Sequence, residues 1–120
     1  MSLLGLWRWR ERGGNFIHIA LPFDDIMEFA LALLSISPEE LARLDWTFAD
    51  RKRLLDHLLA SGKTAQAVPH GALPATLITL RLPRDDVARL QQFARREFSQ
   101  HASNAAMLDR VLDVLNAAAG

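Results

Sequence analysis

The sequence predicts a mostly helical α+β fold, built from a duplicated strand-helix-helix unit with a two-stranded antiparallel ribbon and helices packed on it. Residues 17–26 align without a gap with residues 78–87 and share the pattern Ile-x-x-x-Leu-Pro-x-Asp-Asp. In both places, apolar residues first recur at every second position and then, after the proline, at helical spacing. The chain is also rich in Ala and Leu, which favours helix.

The two strands are predicted over residues 15–21 and 76–82. Their alternating pattern is typical of a strand with one buried face. The outward positions are then Phe16, His18, Ala20, Leu77, Thr79 and Arg81. Pro22 and Pro83 stop the strands and fit the first turn of a helix. The Asp pairs that follow are expected to cap the free amides and to interact with the positive end of each helix dipole. A catalytic pair of acids is not expected there.

The first helix is predicted over residues 22–35 and has almost no polar face. Between Ile26 and Leu34 only Glu28 is polar. A helix that is apolar all round is normally buried all round, which is difficult in a small monomer. We therefore expect a homodimer in which Leu31 and Leu33 contribute contact surface.

Two further helix starts are visible in the first half. Ser37 precedes Pro38 and stands three residues before Glu40, as in a capping box. Thr47 and Asp50 repeat this spacing, so an interruption is expected at residues 45–47, with Trp46 packed there. The second of these helices should end at about Gly62. Glycines and prolines then mark residues 63–75 as a linker.

The second half repeats this order in fewer residues. An amphipathic helix is predicted over 83–98, a polar turn over 99–103 and a final helix over 104–118. Residues 53–60 and 110–117 are identical at five of eight aligned positions, one of which is the pair Arg53 and Arg110. The cluster at 51–53 is expected to be a solvated face. The organisation is a single domain over 1–120, with an arm (1–14), two halves (15–62 and 76–120) and the linker.

The composition excludes several kinds of chemistry. There is no cysteine, which removes thiol catalysis and disulfides and favours the cytoplasm. The four histidines, at positions 18, 57, 70 and 101, show no spacing typical of metal ligands. No catalytic motif is present, so we expect neither an enzyme nor a cofactor. The 14 basic and 14 acidic residues cancel, which leaves no overall field to attract nucleic acid or an anionic membrane.

The arm is the segment most suited to contact a partner. It combines Trp7 and Trp9 with Arg8 and Arg10, a composition typical of binding hot spots. Its apolar run is far too short to cross a bilayer. A mobile or packed arm is preferred to attachment at a membrane surface. As a contact segment, its tryptophans could either stack on bases or dock in a groove of a protein partner.

Residues 80–87, Leu-Arg-Leu-Pro-Arg-Asp-Asp-Val, together with Leu90, Phe93 and the helix at 104–118, resemble a ribbon-helix-helix unit. The resemblance covers about residues 76–118, and residues 15–60 echo it more weakly. It implies that two such strands pair and that their ribbon enters the major groove of DNA. His18, Thr79 and Arg81 are the outward residues that could contact bases.

Three functions agree with these patterns. We expect a small non-enzymatic interaction or regulatory protein that is homodimeric and contacts an unknown protein partner. This is preferred because the net charge is zero and Phe16, Ala20 and Leu77 point outward. A DNA-binding regulator is the first alternative. A small ligand-binding protein or enzyme with a pocket between the halves is the second.

Overall fold

The structure is a computed structural model that describes residues 15–60, 62, 65–95 and 102–119, with side chains from residue 105 onward in the last range. The described chain confirms the predicted α+β fold, mostly helical, with one two-stranded ribbon. Its elements are β1 (Phe16–Pro22), α1 (Phe23–Leu34), α2 (Pro38–Leu44), α3 (Phe48–Leu59), a 3-10 turn (Leu73–Ala75), β2 (Leu77–Pro83), α4 (Arg84–Arg95) and α5 (Ala102–Ala119).

Both predicted capping boxes are confirmed. The amide of Glu40 donates to the Ser37 hydroxyl at 3.2 Å and starts α2. The amide of Asp50 donates to the Thr47 hydroxyl at 3.1 Å and starts α3. Between them Asp45 adopts a left-handed conformation (φ 61°), which ends α2. The chain therefore turns sharply where the sequence predicts an interruption.

The strand register of the ribbon has approximate internal twofold symmetry. β1 and β2 are antiparallel, and Ile19 lies opposite Leu80. These two residues are also equivalent in the sequence repeat, so the axis passes between them. The twofold relates every other pair to a second pair. For example, it relates the pair Ile17–Leu82 to the pair Ile78–Leu21. The six inward side chains of the ribbon are buried under the helices, namely Ile17, Ile19, Leu21, Ile78, Leu80 and Leu82.

Backbone hydrogen bonds follow the same symmetry. The amide of Phe23, at the start of α1, donates to the carbonyl of Thr76 at 2.9 Å. The amide of Arg84, at the start of α4, donates to the carbonyl of Asn15 at 2.6 Å. Both are free first-turn donors that need an acceptor outside their own helix. Each half therefore completes a helix start of the other half.

Two buried ion pairs are exchanged between the halves in the same reciprocal way. Asp25 of α1 accepts two hydrogen bonds, of 3.0 and 2.7 Å, from Arg110 of α5. Asp86 of α4 is bound by Arg53 of α3 at 2.9 Å. Both carboxylates are almost fully buried. Asp25 and Asp86 therefore act mainly through these arginines rather than as helix caps, and Arg53 is not simply part of a solvated face.

The helices close one core over the ribbon. Phe93 of α4 lies at its centre, with ring centroids 5.6 Å from Phe29 and 6.1 Å from Trp46. Trp46 is buried, which confirms its predicted packing role. It follows α2, a helix without a counterpart among the described residues of the second half.

Candidate functional site

The outward side of the ribbon is uncovered. We call Phe16, His18, Ala20, Leu77, Thr79 and Arg81 the ribbon face; Phe16 is half-buried and the other five side chains are exposed. Because β1 and β2 pair in the register given above, His18 lies opposite Arg81, and Ala20 lies opposite Thr79. The structure thus brings together the three residues that the sequence predicts for base contact.

Arg81 is held in a defined position on this face. Its guanidinium carbon lies 3.6 Å from the centroid of the Phe16 ring, on the neighbouring strand. Such a cation–π contact contributes about 0.5–1 kcal/mol at an exposed site. Within residues 15–60, 62, 65–95 and 102–119, no carboxylate forms an ion pair with Arg81. The face therefore offers one positioned cation beside a histidine and a hydroxyl.

A second uncovered surface runs along α1. Phe23, Met27, Leu31 and Leu34 recur at helical spacing and form what we call the α1 outer face. Phe23 and Met27 are half-buried, whereas Leu31 and Leu34 are 63% and 56% exposed. Phe23 and Met27 also pack against the core, so most of the apolar surface that this face presents to solvent comes from Leu31 and Leu34.

The internal repeat provides a control for this observation. α4 is the counterpart of α1, and both helices bury equivalent core positions, as Phe29 and Leu90 illustrate. At the positions of the α1 outer face, however, α4 carries four exposed residues, namely Arg84, Ala88, Gln92 and Arg95. The fold itself therefore does not require apolar residues there. The α1 outer face needs an explanation beyond the stability of the single chain.

The sequence-predicted contact residues have different outcomes. Leu31 lies on the α1 outer face, and its contact with a partner stays a prediction. The prediction for Leu33 is wrong, because its side chain is fully buried in the core. Helical geometry explains the difference, since residues two positions apart point to different sides. Trp7, Arg8, Trp9 and Arg10 lie outside the described residues.

Asp86 is the centre of a charged cluster that the sequence analysis missed. Besides Arg53, it accepts a hydrogen bond from Arg89 at 3.0 Å, and its Oδ2 lies 3.0 Å from Nε2 of His57. Arg53 also donates to Asp50 at 3.0 Å. The repeated Asp and Arg were visible in the sequence, but their pairing joins residues that are 33 positions apart.

The electrostatics of the cluster favour the ionised carboxylate. Burial alone would raise the pKa of Asp86, but the hydrogen bonds and charge of Arg53, with help from His57, hold this pKa below its ordinary value. The hydrogen bonds that Arg53 donates to Asp86 also raise the pKa of Arg53. In Asp50 the hydrogen bond from the Thr47 amide is the main cause of a lowered pKa. The cations are therefore matched by carboxylates, which is typical of a structural cluster.

A shallow hollow of about 360 Å³ opens beside Trp46. All its lining residues belong to the first half: Pro38, Leu41, Ala42, Trp46, Thr47 and Phe48. It is thus not the pocket between the halves that the ligand-binding alternative assumes. Nε1 of Trp46 is buried without a hydrogen-bond partner. The Thr47 hydroxyl is already used in the cap of α3, so no set of polar groups converges in the hollow.

The described residues show no arrangement suited to metal chemistry. Within residues 15–60, 62, 65–95 and 102–119, no group of three or more His, Asp or Glu side chains could hold a metal ion. His18, His57 and His70 lie on β1, on α3 and in the linker, and His101 falls outside the described ranges. Among the helices that the structure describes, none has the length and apolar character to cross a membrane.

Comparisons with models of known protein families, with characterised proteins and with solved structures gave no significant match to this chain. The candidate sites are therefore judged on their geometry. Two surfaces remain, the ribbon face and the α1 outer face.

Proposed function

We propose that this protein is a small non-enzymatic interaction or regulatory protein, which binds a protein partner through the α1 outer face. The observation that carries this proposal is the contrast between α1 and α4. The two helices hold equivalent places in a duplicated fold, and only α1 has Leu31 and Leu34 where α4 has Gln92 and Arg95. Covering these two leucines removes apolar area from water, the main favourable term in most protein association.

Site-specific photo-crosslinking in cells that express the full chain tests this proposal. A photoreactive phenylalanine analogue at position 31 should give a covalent adduct with another polypeptide chain, because that side chain lies on the surface that the proposed partner covers. The same analogue at position 92 is the matched control, since Gln92 is exposed at the equivalent place on α4. We expect adducts from position 31 at least tenfold above those from position 92, measured by mass-shifted bands on a denaturing gel.

Equal or absent crosslinking at the two positions would contradict a contact on the α1 outer face. A mass-spectrometric analysis of each adduct identifies the bound chain. It also separates self-association from binding of a different protein.

A second candidate function, binding of duplex DNA by the ribbon, is favoured by one observation. The ribbon face is uncovered, and it places His18, Thr79 and Arg81 within two cross-strand pairs. The apolar outward residues and the zero net charge argue against DNA binding. Affinity for DNA depends on clustered basic side chains that displace counterions from the phosphates.

We expect no tight, sequence-specific binding to duplex DNA. The measurement is fluorescence anisotropy at physiological salt with a random-sequence duplex pool, followed by any duplexes enriched from it. Wild-type protein and the Arg81→Ala variant should behave alike. A dissociation constant below about 10⁻⁷ M with a clear sequence preference lies in the specific range and would establish the DNA-binding function. In that case, Arg81→Ala should abolish the preference.

A further inference from the structure

We infer that the partner on the α1 outer face is a second copy of this chain, with the two α1 helices crossing antiparallel about a twofold axis near Met27 and Leu31. This inference rests on the proposed function and adds the identity of the partner. The single chain already closes its own ribbon and core. The pairing therefore joins two complete molecules rather than completing an unfinished one.

The geometry of the face suits pairing with itself. Phe23, Met27 and Leu31 follow one another at intervals of four residues and so form a single ridge along α1. Two such ridges interdigitate in the commonest class of helix packing. In a twofold interface each residue meets the same surface on the other copy, so the surface must be self-complementary. A ridge of uncharged, flexible and branched apolar side chains meets that requirement.

The charges around the face agree with a second copy. The four side chains of the face carry no charge, so no like-charge repulsion arises where they meet. On the flank, Glu28 acts together with Asp25 to raise the pKa of Arg110, with the hydrogen bond from Arg110 to Asp25 as the main cause. The exposed Asp24 lies on α1 one turn before Glu28, so the surroundings of the face contain two carboxylates besides the Asp25–Arg110 pair. Selection of a different protein usually depends on a charged pattern that only the partner complements.

The size of the face predicts a weak dimer. From Phe23 to Leu34 the helix rises by about 16 Å, and a helix is about 10 Å wide. This footprint is small beside the roughly 800 Å² that each partner buries in a standard interface. We therefore expect reversible, concentration-dependent association.

Sedimentation velocity of the purified full chain over a concentration series tests this inference. The wild-type mass should rise from the 13.4 kDa of the monomer towards twice that value as the concentration increases from the micromolar to the high micromolar range. The double variant Leu31→Gln/Leu34→Arg, which copies the α4 residues, should remain monomeric throughout. Gln92→Ala is the matched control and should associate like the wild type. Circular dichroism checks that all three proteins keep the same helical content.

Other outcomes are distinguishable. A monomeric wild type that is crosslinked to a different protein through position 31 in cells overturns the self-pairing and leaves the proposed function intact. A monomeric wild type without adducts at position 31 overturns both. If the full chain stays monomeric and a variant lacking residues 1–12 dimerises, the arm competes for the face. This outcome also overturns the self-pairing of the full chain. Association that persists in the double variant places the interface elsewhere.

Discussion

Replacing Asp86 by Asn should destabilise this protein strongly, and more than replacing Asp25 by Asn. The buried carboxylate holds Arg53, Arg89 and His57 around it. Removing its charge leaves these groups without their counter-ion in a partly dehydrated place. Breaking a buried ion pair costs about 3–5 kcal/mol, and we expect about 3 kcal/mol because the three partners are partly exposed.

Urea denaturation at pH 7 measures this loss, and Asp25→Asn is the matched control. Asp25 is the repeat equivalent of Asp86, but among the described residues only Arg110 binds it, and the Arg110 side chain is more exposed than those around Asp86. Water can therefore replace the lost carboxylate, and the loss should be smaller. Equal losses in the two variants would show that the additional partners of Asp86 contribute nothing.

The same substitution changes the response to acid. An unfolded Asp has a pKa of about 3.9, and in the folded protein the pKa of Asp86 lies lower. The ionised group therefore stabilises the fold above the unfolded value, and this contribution is lost as the pH falls through the folded value. The stability difference between wild type and Asp86→Asn should shrink below pH of about 4. A difference that stays constant between neutral and strongly acidic pH contradicts the lowered pKa.

Replacing Leu33 by Glu should prevent folding, whereas replacing Leu31 by Glu should not. Leu33 is fully buried, and truncating such a side chain already costs about 2–5 kcal/mol. Burying an unpaired carboxylate adds several kcal/mol more. Together these terms are comparable with a whole folding free energy of about 5–15 kcal/mol. Leu31 is 63% exposed, so its replacement should change stability by only about 0.5 kcal/mol.

Circular dichroism and thermal melts of the two variants give the comparison directly. The two sites are two residues apart on one helix, so helix propensity and local sequence are nearly constant. We expect a cooperative melt for Leu31→Glu and none for Leu33→Glu. A cooperative melt in both would mean that α1 is not anchored in the core as described.

The ribbon and the helix boundaries could be predicted because local patterns determine them. Strand periodicity ended by Pro22 and Pro83, and side-chain caps such as Ser37 and Thr47, act over a few residues. The twofold arrangement followed from the repeat, because two equivalent strands that pair antiparallel and bury the same face are related by a twofold axis. The sequence also indicated that α1 is more apolar than one chain needs.

What could not be predicted depends on contacts between distant residues. Whether a carboxylate at a helix start faces water or an arginine is decided by the helix that packs over it, and here that helix belongs to the other half. Asp25 and Arg110 are 85 residues apart. The direction of each α1 side chain was also uncertain, because a helix that is apolar all round gives no phase for its buried side. For that reason the sequence pattern does not distinguish the buried Leu33 from the exposed Leu31.

The covalent link between the halves has a consequence for how the molecule can change. In a dimer of identical chains, every substitution appears twice and must be tolerated at both symmetric places. Here the strand partners lie in one polypeptide, so each half can vary alone while the shared ribbon keeps its register. This freedom accounts for the leucine at position 31 where the equivalent position of the repeat has Gln92. It also accounts for the histidine at position 57 where the repeat has Val114. It also makes closure of the ribbon a unimolecular step, so dilution does not unfold it, as it would unfold an obligate dimer.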